Sequence, residues 1–152
     1  MSSRDTLSWT VRVSARDRTS VAVYARKSRF EVGPPLAIDV EDERVSALEY
    51  LLGALGADLV AGMKTQCHKR RLEVDSVEAV VHGQLDNALV HLGVVGEEGH
   101  PGLSHATVKV YVETLEEEAD IRVVWDQVVA RSPLYQTLSA AAQLDIELAV
   151  VM

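Results

Sequence analysis

The stretch that most constrains this chain is its first long helix. Between Tyr50 and Met63 only Gly53, Gly56, Asp58 and Gly62 interrupt an apolar run. A helix that is apolar on nearly every side has to be covered on nearly every side. A lone carboxylate inside it is costly to bury without a hydrogen-bond partner or a counter-charge. The helix start is marked by Ser46 and Glu49, spaced as a capping box in which each side chain satisfies a free N–H of the first turn. The helix is predicted to run to about Arg71, its basic end Lys69-Arg70-Arg71 suiting the negative pole of the helix dipole. Gly53, Gly56 and Ala57 leave a shallow strip where another backbone can approach closely.

At 152 residues and 47% hydrophobic, the chain can bury a core without disulfides or structural metal and is expected to form a single domain over 1–152. Its one cysteine, Cys67, excludes an intramolecular disulfide, and MSSRDTLSW lacks the apolar core of a signal peptide, so the expected location is the cytoplasm. The Tyr50–Met63 run is too short to span a membrane. A net charge of −8 argues against nucleic acid as a principal partner. The charge is uneven, +5 over residues 1–30 and −13 over the remainder. Solvated strand faces account for the basic segment, with an anion-binding patch as the alternative.

Alternation along Leu7, Trp9, Val11 and Val13, and again along Val21, Val23 and Ala25, predicts a β-hairpin whose polar turn carries Arg16 and Arg18. A short third strand around Phe30–Val32 stops at Gly33-Pro34-Pro35, so strands occupy 1–33, and an acidic segment leads into the helix of 46–71. Strands follow over 77–112, with a Gly-rich loop between Gly93 and Gly102. A second helical region covers 116–142, broken or restarted at Pro133, and a last strand covers 144–151. The order βββ-α-ββ-α-β indicates an α+β fold with antiparallel sheet.

These elements carry a resemblance. LEYLLGALGADLVAGM, then HKRRLEVDSVEAVVHGQLD, the strand HATVKVYVET, the helix EEEADIRVVWDQVVARSPLYQTLS and the closing LDIELAVV together resemble the OsmC/Ohr family over roughly residues 46–151. The resemblance implies an intertwined homodimer with two central helices backed by antiparallel sheets. In active members, one cysteine in the central helix attacks the peroxide as thiolate and a second resolves the sulfenic acid as a disulfide. Carried onto this chain, the two cysteine positions fall on Asp58 and Ser132, with Pro133, Thr137 and Leu138 matching the rest of the second motif. A carboxylate and a hydroxyl cannot make a sulfenic acid or a disulfide.

The family arginine that holds the thiolate resembles Arg16 or Arg18 in location, and the family helix-start glutamate resembles Glu49, with Leu48 as the alternative register. The capping box explains Glu49 without catalysis. Cys67 lies nine residues beyond Asp58, about 13.5 Å along the helix, too far to take over the same site. It reads as a packed thiol. His82, His91, His100 and His105 match no metal-ligand spacing and read as solvated loop residues; no cofactor and no metal is implied. Asp58 with Ser132 lacks the oriented base of a hydrolytic pair, and Ser132-Pro133 reads as an N-cap and first helical residue. Asp58 is then either an internally paired carboxylate, with Arg131 or a hairpin arginine as its counter-charge, or a ligand-binding acid in a relict pocket.

The leading expectation is a homodimer without the thiol pair, noncatalytic or altered, binding a small apolar or acyl ligand at its interface. The alternatives are a peroxide-reducing enzyme working through other groups, including Cys67, and a dimeric scaffold.

Overall fold

A computed structural model describes residues 6–34 and 42–152; Pro35 and most of the acidic segment before the helix lie outside the described residues. The chain divides into two compact units, residues 1–50 and 51–152.

The first unit is built on a three-stranded antiparallel sheet of β1 (Arg12–Ala15), β2 (Val21–Ala25) and β3 (Ser28–Val32), in that order. The β1–β2 turn is organised by Asp17, whose Oδ1 accepts from the Thr19 and Ser20 amides at 2.9 Å each. The β2–β3 turn needs only Arg26 and Lys27, with Arg26 in the left-handed region at φ 54°. The strand expected from Leu7 starts only at Arg12. β1 pairs Arg12 with Tyr24, and β2 ends one residue later at Ala25, so residues before Val11 have no ladder partner there. Leu7 and Trp9 are accordingly exposed.

Helix α1 (Ala47–Lys69) begins under the predicted capping box. Ser46 N–H and Oγ donate to Glu49 Oε1 at 3.0 and 2.8 Å, and Glu49 N–H returns a bond to Ser46 Oγ at 3.3 Å. In the second unit α1 is followed by β4 (Ser76–Leu85), a short α2 (Ala88–His91) capped by Asn87, β5 (Leu103–Glu113), α3 (Glu118–Arg131), α4 (Pro133–Ser139) and β6 (Gln143–Val151). The strands form one sheet in the order β4-β5-β6. β4 and β5 are antiparallel, but β6 joins β5 in parallel, a correction to the all-antiparallel expectation. The α3–α4 crossover between them carries the chain back across the sheet, so β6 starts from the same end as β5. Pro133 restarts the helical region, which is therefore two helices.

The core of this unit lies between α1, α3 and one face of the sheet: Leu55, Leu59 and Met63 meet Val108, Val110, Val112, Ile121 and Val124. Burying each such side chain contributes about 1.5–3 kcal/mol. The opposite sheet face is polar, carrying Lys109 beside Glu147 at 3.5 Å.

Among the described residues, α1 is left open on one side. Gly53, Ala54, Ala57 and Ala61 are exposed on one face of it. Gly56, expected in the same strip, instead faces the sheet, where a Cβ would come within 2.9 Å of Val81 Cγ2. No helix among the described residues is long and apolar enough to cross a membrane.

Candidate functional site

The approach of α3 to α1 depends on Gly62, where an added Cβ would stand 2.7 Å from Val128 Cγ1. Asp58 lies one turn before Gly62 and Ser132 one turn after Val128, each on the same face as its neighbour. Because the two helices run in opposite senses at this contact, those positions meet. Ser132 Oγ donates to Asp58 Oδ2 at 2.5 Å.

Ser132 closes α3 and opens α4. Its extended backbone (φ −72°, ψ 114°) precedes Pro133 at the first helical position, and its Oγ accepts from Tyr135 N–H at 3.0 Å. Both functions of the hydroxyl are thus used: its proton goes to Asp58 and an oxygen lone pair to the α4 N-terminus. The side chain is buried, at 4% exposure, and Asp58 is half-buried. Among the described residues of this unit Asp58 has no cation within ion-pair distance, and Arg131 is exposed and unpaired. Within this unit the partner of Asp58 is a hydroxyl donor and not Arg131, one of the two counter-charges expected.

A closed pair of this kind can hold two helices together. It holds no redox-active atom, and among the described residues of this unit the Asp58 carboxylate is the one base that touches the buried Ser132 hydroxyl. Thr137 is exposed on α4, whereas Leu138 packs on the core.

Arg16 and Arg18 are exposed in the β1–β2 turn of the first unit, and Glu49 is engaged by Ser46, whose amide and hydroxyl hold its carboxyl below the usual range. Leu48 is a half-buried residue of the same helix turn. Cys67 is buried at the far end of α1, and burial pushes its thiol pKa up. A raised pKa disfavours the thiolate that any peroxide chemistry needs. His82, His91 and His100 are exposed and do not converge. His105 pairs with Asp145 at 2.6 Å on the outer sheet face, and no group of metal-ligating side chains occurs among the described residues. Residues missed from sequence are Gly62 and Val128, whose close approach aligns the pair, and Arg44, which binds Asp42 at 2.7 Å and Thr19 at 2.9 Å. The only sequence signal for the first two was a glycine in mid-helix.

A family model described as OsmC-like protein matches residues 40–147. No curated protein matches the sequence. Solved structures do. An OsmC-like protein from Mycoplasma pneumoniae aligns over 96% of this chain and 99% of its own, at 14% identity and a TM-score of 0.79. An organic hydroperoxide resistance protein from Elizabethkingia anophelis aligns over 97% and 100%, at 12% identity and 0.70. The organic hydroperoxide resistance protein OhrB of Bacillus subtilis aligns over 92% and 98%, at 14% and 0.59. At these identities the likeness is one of fold.

Proposed function

Because the chain belongs to the OsmC-like protein family, we propose that it is a cytoplasmic homodimer related to hydroperoxide defence in which a hydrogen-bonded Asp58–Ser132 pair has replaced the reactive thiols. It does not reduce hydroperoxides by thiol chemistry, and it acts by binding a small apolar or acyl ligand between its subunits. The observation that carries the non-redox reading is the 2.5 Å bond from Ser132 to Asp58. Both groups at the expected thiol positions are committed to each other, and neither can cycle between oxidation states.

The exposed face of α1 supports the dimer. Gly53, Ala57 and Ala61 recur every four residues, the spacing that lets two helices approach closely, and Ala54 flanks them. Leaving these small apolar positions in water forgoes burial that a second copy supplies. The ligand then lies where two such faces meet.

The test is dithiothreitol-dependent consumption of tert-butyl hydroperoxide by wild type and Cys67→Ser. The expected result is no turnover by either. Turnover abolished by Cys67→Ser would overturn the reading in favour of a residual peroxidase. Native mass spectrometry on the same material tests the rest: a dimer carrying a small apolar adduct is expected, a bare dimer would favour a scaffold, and a monomer would overturn the dimer.

A further inference from the structure

At the end of α1 away from Asp58, the chain turns into β4 around a recess of about 610 Å³, within the range of about 300–1,000 Å³ typical of small-molecule sites. Its floor is apolar: Cys67, Leu72, Val74 and Val77, all packed on the core cluster. Its rim carries Lys64 and His68, one turn apart on α1, and the carboxylates of Glu73 and Asp75 from the following loop.

The wall is fixed by hydrogen bonds. Arg71 takes a left-handed conformation at φ 59°, and Leu72 N–H closes the helix on Cys67 O at 2.9 Å. Glu73 N–H donates to Glu116 Oε1 at 2.9 Å, Thr114 Oγ1 donates to Glu73 O at 2.5 Å, and Asp75 N–H donates to Glu113 O at 2.8 Å. These bonds use the loop's backbone and none of them engages the Glu73 or Asp75 carboxylate.

None of the four rim groups forms an ion pair or side-chain hydrogen bond within this unit, and no Lys64 or His68 nitrogen comes within 4.0 Å of the Glu73 or Asp75 carboxylates across the recess. Opposite charges that line one cavity without reaching each other are complementary to a ligand that spans them.

We propose that this recess binds a small zwitterion with an apolar body, of the size of an apolar amino acid or dipeptide. Its carboxylate meets Lys64 and the His68 ring N–H, its ammonium meets Glu73 and Asp75, and its side chains lie on Leu72, Val74 and Val77. The site is distinct from the Asp58–Ser132 pair and stands independently of what that pair does.

The test is an amide chemical-shift titration of the full chain with L-leucyl-L-leucine, beside its N-acetylated and C-amidated forms. Saturable shifts confined to residues 64–77 are expected below about 10 mM, with each blocked form at least about tenfold weaker. Lys64→Met and Asp75→Asn, both of exposed side chains, are expected to weaken the free dipeptide about tenfold each while leaving the melting temperature unchanged. Absence of saturable shifts, or equal binding of free and blocked forms, would overturn the proposal.

Discussion

Replacing Ser132 with Ala removes two bonds from one atom, and its cost follows from the geometry. Loss of the α4 N-cap to Tyr135 N–H costs about 1 kcal/mol. Loss of the bond to Asp58 removes a hydrogen bond to a charged acceptor, worth about 1.5–3 kcal/mol when the acceptor is left dry. Asp58 is only half-buried, so water recovers part of the second loss and the lower end applies. Ser132→Ala is therefore expected to destabilise the protein by about 2–3 kcal/mol, a fall in melting temperature of about 5–10 °C for a chain of this length. Urea unfolding at fixed protein concentration measures it, since dimerisation would make stability concentration-dependent. Asp58→Ala is expected to cost about 1–2 kcal/mol, and the double variant less than the sum, with a coupling of at least about 1 kcal/mol. Single losses below about 0.5 kcal/mol, or no coupling, would refute the view that this bond holds α4 to α1.

Further outcomes are expected elsewhere. Gly53→Ala meets nothing within 4 Å among the described residues, so a monomer is expected to gain about 0.5–1 kcal/mol of helix stability, while a dimer packed on that strip is expected to weaken; unfolding and sedimentation velocity on one sample separate the two. Gly62→Ala forces a Cβ against Val128 and is expected to cost about 1–3 kcal/mol despite better helix propensity, read by urea unfolding. Hydrogen bonds from Arg44 hold the Asp42 carboxyl at about 2. That folded value lies below the unfolded one, so the stabilisation is present above about pH 4 and is lost as pH falls toward 2; Asp42→Asn is expected to flatten that part of an acid-unfolding curve. Cys67 is expected to react with a thiol reagent roughly a hundredfold faster in denaturant than in buffer, because at the floor of the recess after α1 only 1% of the residue is exposed.

The sequence made much of the fold legible because its strong signals are local. The capping box at Ser46 and Glu49, the alternation of Ala106 to Val112 and the N-cap at Ser132-Pro133 each fix an element through neighbours a few residues away, and all three stand as expected. What depends on distant pairing was not legible. The parallel union of β5 and β6 follows from how α3 and α4 return the chain, and the truncated β1 from the length of β2. For the site, the resemblance singled out Asp58 and Ser132, 74 residues apart. Their direct bond required knowing that Gly62 lets Val128 in, a packing fact that periodicity does not carry. A short stretch such as Ala88–His91 offers no periodicity at all, and its helix rests on the Asn87 cap.

The most direct measurement compares hydroperoxide consumption by wild type with that by the double variant Asp58→Cys/Ser132→Cys, followed by the intact mass of each. Wild type is expected to consume none above the buffer blank and to keep its mass. The double variant is expected to consume hydroperoxide and form a disulfide between the two introduced thiols. Wild-type consumption as fast as the double variant's would contradict the claim that the Asp58–Ser132 pair stands in place of redox chemistry.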